Sequence, residues 1–191
     1  MTLNGDSAIL NTNQDKIVIL DRDGVINQDS DAYIKSPEEW IPLEGSLEAI
    51  AQLNRNGYRV FIFTNQSGIA RGYFDINTLE LMHKKMDKML QEVGGKIEKI
   101  FFCPHGPDDG CDCRKPNIGM LKQIEDHVGH SLESAFVVGD SKKDIKAAVK
   151  IGAKPNLVLT GKTTDAPNWG VSNLSVFSNL KAFADSICEK Q

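Results

Sequence analysis

The chain has 191 residues, 16 of them glycine, with 40% hydrophobic residues and a formal net charge of −4. That length suits one domain with a substantial core, and the composition excludes a disordered or fibrous chain. The acidic balance gives no broad footprint for nucleic acid, and no apolar run approaches the roughly 18 residues of a membrane span, so neither is an expected partner.

Residues 1–15 are polar and carry neither a basic n-region nor a long apolar h-region. They read as a flexible cytoplasmic N-terminus rather than a secretory signal, followed by a single domain over 16–191. The run Ile17-Val18-Ile19-Leu20 predicts a strand buried on both faces, the kind found inside a parallel sheet. It ends in Asp21-Arg22-Asp23-Gly24. Side chains along an extended chain alternate between faces, so Asp21 and Asp23 point to the same side and Arg22 points away. Two neighbouring carboxylates suit a metal site, a nucleophile paired with an acid, or both; the alternative is a solvated turn.

The polar stretch from Asn27 to Pro42 is long for a simple connection and reads as a loop near a binding site. Ser46 is placed to cap a helix through Asn56, with Gly57 as its stop. Tyr58 to Phe63 is a second strand, ending in Thr64-Asn65-Gln66-Ser67-Gly68. Asp75 caps a helix with a Met-rich apolar face, which is read as core. A strand over Ile97 to Phe102 leads into Cys103. A helix from Ile118 to Val128 stops at Gly129, and a fourth strand, Ala135 to Val138, ends in Gly139-Asp140. A helix over Asp144 to Ile151, a short strand over Asn156 to Leu159 and a last helix over Leu180 to Ile187 follow. Cys188 is expected to pack there without a functional part.

Strands alternating with helices predict a Rossmann-like, doubly wound parallel α/β sheet, in which ligands bind beyond the carboxyl ends of the strands. Polar clusters at Asp21/Asp23, Thr64/Asn65 and Asp140/Asp144 each follow an apolar strand. Unrelated loops would rarely coincide in this way, so one active site is the better reading.

The residue types suit phosphoryl transfer. Asp21 is placed to attack phosphorus, and Asp23 to protonate the leaving oxygen and later deprotonate water. That role predicts a raised Asp23 pKa in the substrate complex. Thr64 can donate to a phosphoryl oxygen and Lys115 can neutralise its charge. Asp21, Asp140 and a backbone carbonyl are hard oxygen ligands suited to Mg²⁺. Asp144 serves either as a helix cap or as a carboxylate behind the metal ligands.

Asp21 to Val25, Thr64-Asn65-Gln66, Lys115 before Pro116, and Gly139 to Asp144 resemble, in order and spacing, the four motifs of the haloacid dehalogenase superfamily of phosphatases. More narrowly, Asp21 to Asn27, Thr64 to Gly72, Cys103-Pro104-His105 and Cys111 to Pro116 resemble the D-glycero-D-manno-heptose 1,7-bisphosphate 7-phosphatase family. The resemblance implies the haloacid dehalogenase fold and a cytoplasmic enzyme on the path to ADP-heptose for lipopolysaccharide. It also implies Asp21 as nucleophile, Asp23 as acid/base, and Mg²⁺ on the Asp21 carboxylate, the Asp23 carbonyl and Asp140. Asn65, Arg114 and Lys115 match positions expected to grip substrate phosphate. Histidinol-phosphate phosphatases and polynucleotide 3′-phosphatases share much of the pattern; the Ile69 to Gly72 context and the Asn27 to Trp40 loop look more like the heptose enzymes.

Cys103, His105, Cys111 and Cys113 offer three thiolates and an imidazole, the ligand set of a closed structural Zn²⁺ site, with unbound thiols as the alternative. The loop runs straight into Arg114 and Lys115, so a metal there would position both cations. The spacings leave no room for a large cap domain, which predicts a partly open site; a monomer is expected, and the resemblance implies a small sugar bisphosphate as the substrate. A non-catalytic zinc-stabilised binding module is the reading from a different class, and it requires Asp21 and Asp23 to be idle.

Overall fold

In the computed structural model, which describes residues 15–188, β1 (Ile17–Leu20) is buried along its whole length. Successive side chains alternate across a strand. Val18 and Leu20 therefore pack with Leu47, Ile50, Leu79, Met82 and Phe183, while Ile17 and Ile19 pack with Leu121, Ile124, Ala147 and Ala148. Each fully buried aliphatic side chain contributes about 1.5–3 kcal/mol. Truncating Ile19 to alanine would cost about 2–5 kcal/mol once the cavity is included.

β2 (Arg59–Asn65), β3 (Lys99–Cys103), β4 (Phe136–Gly139), β5 (Lys154–Val158) and β6 (Ser175–Phe177) complete a wholly parallel sheet in the order β3-β2-β1-β4-β5-β6. α1 (Ser46–Arg55), α2 (Ile76–Glu92) and α5 (Leu180–Cys188) supply one core, and α3 (Gly119–Val128) and α4 (Lys142–Ile151) the other. This is the doubly wound α/β architecture that the alternation predicts. The chain order reverses beside β1, between β2 and β4, and that crevice is where such sheets bind ligands.

Three local expectations change. Ser46 does not cap α1: Gly45, with φ +74, takes the cap position, and the Ser46 hydroxyl instead donates to Ile26 O at 2.7 Å. α4 begins at Lys142, two residues early, because Ser141 and Asp144 form a reciprocal capping box. β6 was not foreseen, since three residues with two exposed side chains carry no burial pattern.

The expected flexible segment, residues 1–15, lies outside the described residues except for Asp15. The Asp15 carboxylate pairs with Arg59 and, at 3.3 Å, with His130. Cys188 packs against the α1/α2/α5 core, as expected. Among the described residues no helix is long and apolar enough to cross a membrane.

Candidate active site

Asp21 leaves β1 while its N–H still donates to Val138 O at 2.9 Å, which fixes the residue over the β1/β4 edge. Its Oδ1 accepts from Arg22 N at 2.7 Å, and its Oδ2 lies 2.9 Å from Lys115 Nζ. Lys115 reaches across from the connection between β3 and α3. Its ammonium also meets Asp144 Oδ1 at 2.6 Å, donates to Phe63 O at 3.0 Å and lies 4.1 Å from the centre of the Phe63 ring. Burial pulls the Lys115 pKa down, but Asp144 and Asp21 outweigh it and hold it up at about 12. The group is a fixed positive charge. Asp144 Oδ1 has no aligned hydrogen-bond donor, so its tie to Lys115 is an ion pair.

Asp140 follows β4 and is clasped between two glycines. A Cβ at Gly161 would lie 2.0 Å, and one at Gly24 2.5 Å, from Asp140 Oδ2; Gly24 also has φ +78. Side chains at either position would evict the carboxylate. Lys162 N donates to the same oxygen at 2.5 Å. Burial, then Asp144, push the Asp140 carboxyl up to about 7. Burial also drives the Asp21 carboxyl well above its ordinary value, with Asp144 and Asp140 adding to it and Lys115 opposing.

One oxygen from each of Asp21, Asp140 and Asp144 lies within 4.8 Å of the others. These three carboxylates share a single ammonium, which leaves two negative charges uncompensated. That excess, on hard oxygen donors, fits one divalent cation of the Mg²⁺ type. Two of these oxygens belong to the expected ligands Asp21 and Asp140, and the third to Asp144, whose Oδ1 is held by Lys115. Asp144 Oδ2, however, is already taken by Ser141 Oγ at 2.5 Å and Ser141 N at 3.0 Å.

Asp23 sits in a different electrostatic setting. Its carboxylate accepts from Arg22 Nη2 at 2.9 and 3.1 Å, Arg22 Nε at 3.2 Å, and the Asn27 and Gln66 side-chain amides at 2.9 Å each. Burial raises its pKa, but Arg22, Asn27 and Gln66 together win and hold it below the ordinary value. The ligand-free chain thus shows the opposite direction from the one expected of the substrate complex. Arg22 does not point away from Asp23 either. The regular strand ends at Leu20, so the alternation fails and the fully buried guanidinium folds back on its neighbour. Behind it, burial and then Arg22 push His83 down to about 3, so His83 is neutral and adds no positive charge beside Arg22.

Thr64, at the end of β2, accepts from Gln66 Nε2 at 2.9 Å, which leaves its own hydroxyl proton free to donate. Asn65 grips the Lys115 backbone: its Oδ1 accepts from Lys115 N at 3.0 Å and its Nδ2 donates to Lys115 O at 3.3 Å. Arg114 donates to His105 O at 3.1 Å. All three line a cavity of about 470 Å³ together with Asp21, Asp23, Lys115, Asp140 and Asp144, so every expected member of this site is brought together.

The cysteine loop closes as the spacing suggests. Cys103 Sγ lies 3.6 Å from both His105 Nδ1 and Cys111 Sγ, Cys113 Sγ is 3.6 Å from Cys111 Sγ, and His105 Nδ1 is 3.2 Å from Cys113 Sγ. A tetrahedron with bonds of about 2.0–2.3 Å has edges of roughly 3.5–3.8 Å, so a metal ion fits this cluster. Burial and then the neighbouring sulfurs push the Cys113 thiol up to about 12.

Sequence reasoning assigned nothing to Arg22, Asn27, Gln66, Gly161 or Lys162. Gln66 stood within a quoted motif and Asn27 at the end of another. Lys162 carried no signal: its contribution is a backbone N–H, which any residue supplies.

A family profile described as Polynucleotide kinase 3 phosphatase matches residues 16–181. Curated relatives named D-glycero-beta-D-manno-heptose-1,7-bisphosphate 7-phosphatase match closely. The Pseudomonas aeruginosa protein is 56% identical over 181 residues, covering 91% of this chain and 98% of its own, and the Pseudomonas putida protein 54% over 170 residues, covering 88% and 97%. The crystal structure of the D,D-heptose 1,7-bisphosphate phosphatase from B. bronchiseptica, complexed with magnesium and phosphate, superposes with a TM-score of 0.89 at 48% identity, covering 92% of this chain and 99% of that one. With catalytic-type carboxylates, fold and nearly full-length relatives in agreement, this chain belongs to the D-glycero-β-D-manno-heptose-1,7-bisphosphate 7-phosphatase family of haloacid dehalogenase-fold phosphatases.

Proposed function

We propose that the chain removes the C7 phosphate of D-glycero-β-D-manno-heptose 1,7-bisphosphate through an aspartyl-phosphate, on the path to ADP-heptose. The observation that carries this reading is the Asp21 carboxylate, fixed by the Lys115 ammonium and the Arg22 N–H and open to the same cavity as Asp23. Asp21, Asp140 and the Asp23 backbone would hold Mg²⁺, which when bound offsets the negative charge that nucleophile and phosphate bring together. Asp144 holds Lys115 behind them.

An oxygen of Asp21 forms a bond to phosphorus as the bond from phosphorus to O7 breaks, and Asp23 delivers a proton to O7. Water then attacks the same phosphorus, gives its proton to Asp23 and restores the Asp21 carboxylate with release of inorganic phosphate. In the resting chain Arg22, Asn27 and Gln66 favour the ionised Asp23 that the second step uses. The proton for the first step is gained as the anionic phosphate settles beside it. Thr64, Lys115 and Arg114 meet the phosphoryl oxygens, with Asn65 fixing the Lys115 backbone.

Cys103, His105, Cys111 and Cys113 hold a structural Zn²⁺ that fixes the approach of Arg114 and Lys115. The gathering of three of the four cysteines with His105 in one metal-type cluster supports a cytoplasmic setting. We read the chain as a monomer whose catalytic domain spans residues 16–191.

Phosphate release should be measured from heptose 1,7-bisphosphate, fructose 1,6-bisphosphate, histidinol phosphate and a 3′-phosphorylated oligonucleotide, with Asp21→Asn as the blank. The heptose substrate is expected to give the highest kcat/KM. Preference for another ester would replace the substrate assignment, and no release from any would favour the binding module.

A further inference from the structure

We propose that His83, on α2, is a positioning residue that acts through Arg22 to hold Asp23 where it exchanges its proton; this rests on the reading of Asp23 as acid/base. The sequence sets His83 at the edge of the buried side of α2. Leu79, Met82, Met86 and Leu90 recur every three or four residues and are buried, and His83 stands next to Met82 and four residues after Leu79. An imidazole thus takes a place at the rim of an apolar stripe. From there its Nε2 lies 3.5 Å from Nη1 of the fully buried Arg22.

A guanidinium is a rigid plane of five donors with no acceptor. Arg22 directs Nε at Asp23 at 3.2 Å and Nη2 at both Asp23 oxygens, at 2.9 and 3.1 Å, and Nη2 also meets Gln66 Oε1 at 3.3 Å. Nη1 has His83 as its one hydrogen-bond partner among the described residues. The plane is therefore gripped at both ends, by the carboxylate at one and by the ring at the other. Because a guanidinium cannot accept, the contact with His83 forms only if Nε2 carries no proton and the ring is neutral. Burial and then Arg22 hold the His83 pKa down at about 3, which keeps it so.

His83 does not line the cavity around Asp21. It opens instead on a separate cavity of about 400 Å³ between α2 and β3, shared with Met86, Ile97 and Ile100. The ring can thus act on Asp23 without touching substrate, and a variant should alter turnover rather than binding.

Steady-state kinetics on heptose 1,7-bisphosphate should compare the parent with His83→Leu, His83→Gln and His83→Ala. Leucine fills the space without an acceptor. Its kcat should fall about tenfold, less than the roughly 10²-fold of a 1 Å misplacement, because Asn27 and Gln66 still hold Asp23. KM should stay within about twofold. Glutamine offers an acceptor oxygen to Nη1 and should restore most of kcat. The alanine variant opens onto the adjoining cavity, so added imidazole should raise its kcat severalfold and leave the parent unchanged. In an Arg22→Lys background, His83→Leu should cost less than about twofold more, since the group it positions is gone.

A leucine variant with parental kcat overturns the proposal. So does a glutamine variant that loses as much as leucine, or a leucine variant that costs about tenfold again beside Arg22→Lys, since His83 would then serve packing alone. Should the leucine variant fail to fold by calorimetry, the alanine variant decides, and no gain with imidazole overturns the inference. Asp23→Asn separates the inference from the reading beneath it. An inactive Asp23→Asn with an unaffected His83→Leu overturns the positioning alone, whereas parental activity in Asp23→Asn overturns the acid/base role and the positioning together. If the parent prefers another ester of the panel, the same comparison on that ester lets the substrate assignment and the positioning fail separately.

Discussion

Lys115→Met is the sharpest test of the charge arrangement. Lys115 is 3% exposed and its ammonium is shared by Asp21, Asp144 and the Phe63 carbonyl, so its loss leaves two buried carboxylates without their counterion. Removing one partner of a buried pair costs about 3–5 kcal/mol. Methionine keeps the stem over the Phe63 ring, which argues for the lower end, about 3 kcal/mol. At about 2–4 °C per kcal/mol for a domain of this size, melting in chelator should fall by about 6–12 °C. Added Mg²⁺ should recover part of the loss by supplying positive charge. Turnover should fall about 10²–10³-fold, the usual effect of losing one fixed donor to a phosphoryl group. The double variant Lys115→Met/Asp144→Asn removes one charge of each sign; it should recover more than half of the melting temperature and none of the activity. Scanning calorimetry and a phosphate-release assay read the two outcomes separately. A single variant melting within 2 °C of the parent, or a double variant regaining turnover, would refute the reasoning.

Gly24→Ala should weaken Mg²⁺ binding at least tenfold by titration calorimetry, because the new methyl group would overlap Asp140 Oδ2 and the backbone there has φ +78; an unchanged Kd would remove Asp140 from the ligand set. The Asp140 carboxyl, raised to about 7, binds its proton more tightly folded than unfolded. Its contribution to metal-free stability is therefore present below the unfolded pKa and lost as pH rises through 7, where Mg²⁺ binding to the ionised group takes over. The rise in melting temperature on adding Mg²⁺ should accordingly be larger at pH 8 than at pH 5.5, and equal gains at both would contradict the assignment. The purified chain should carry about one zinc, and stripping it should raise KM for the bisphosphate while Mg²⁺ affinity is kept. Zinc-free protein with full activity after chelation and Mg²⁺ restoration would sink the structural role of that loop.

The sheet was legible because burial on two faces writes itself as an unbroken apolar run, as at Ile17 to Leu20, and helices as a 3.6-residue period. The three-residue strand β6 buries too little to leave such a pattern. The reactive carboxylates were legible because each follows a strand directly. What stayed hidden is the return of a long side chain: Arg22 reaches Asp23 only because the extended backbone ends at Leu20, and alternation cannot report its own end. Ser46 misled for a related reason. A glycine with positive φ one residue earlier does its capping task, and the serine hydroxyl is spent on Ile26. Lys162 is invisible in principle, since its backbone N–H is common to every residue but proline.

Asp21 and Asp23 are the same amino acid two positions apart, yet their surroundings push them in opposite directions. Asp21 shares its ammonium with Asp144 and lies close to Asp140, so it gains most from a divalent cation and from the electrophile that such a cation would accompany. Asp23 is held by a guanidinium and two side-chain amides that pair with no second carboxylate among the described residues, and Lys115, 2.9 Å from Asp21, is not among its partners. A carboxylate already satisfied in this way has little need of metal, and it can exchange a proton while its charge stays compensated by Arg22. The proposed nucleophile and proton carrier are thus distinguished by their counterions rather than by their own chemistry, as when two carboxyl groups in one site are driven apart in pKa. Because each charge group is built from different parts of the chain, Lys115, Asp140 and Asp144 on one side and Arg22, Asn27 and Gln66 on the other, a change in one can leave the other standing. The separation lets the two proposed roles, nucleophile and acid/base, be tested one at a time.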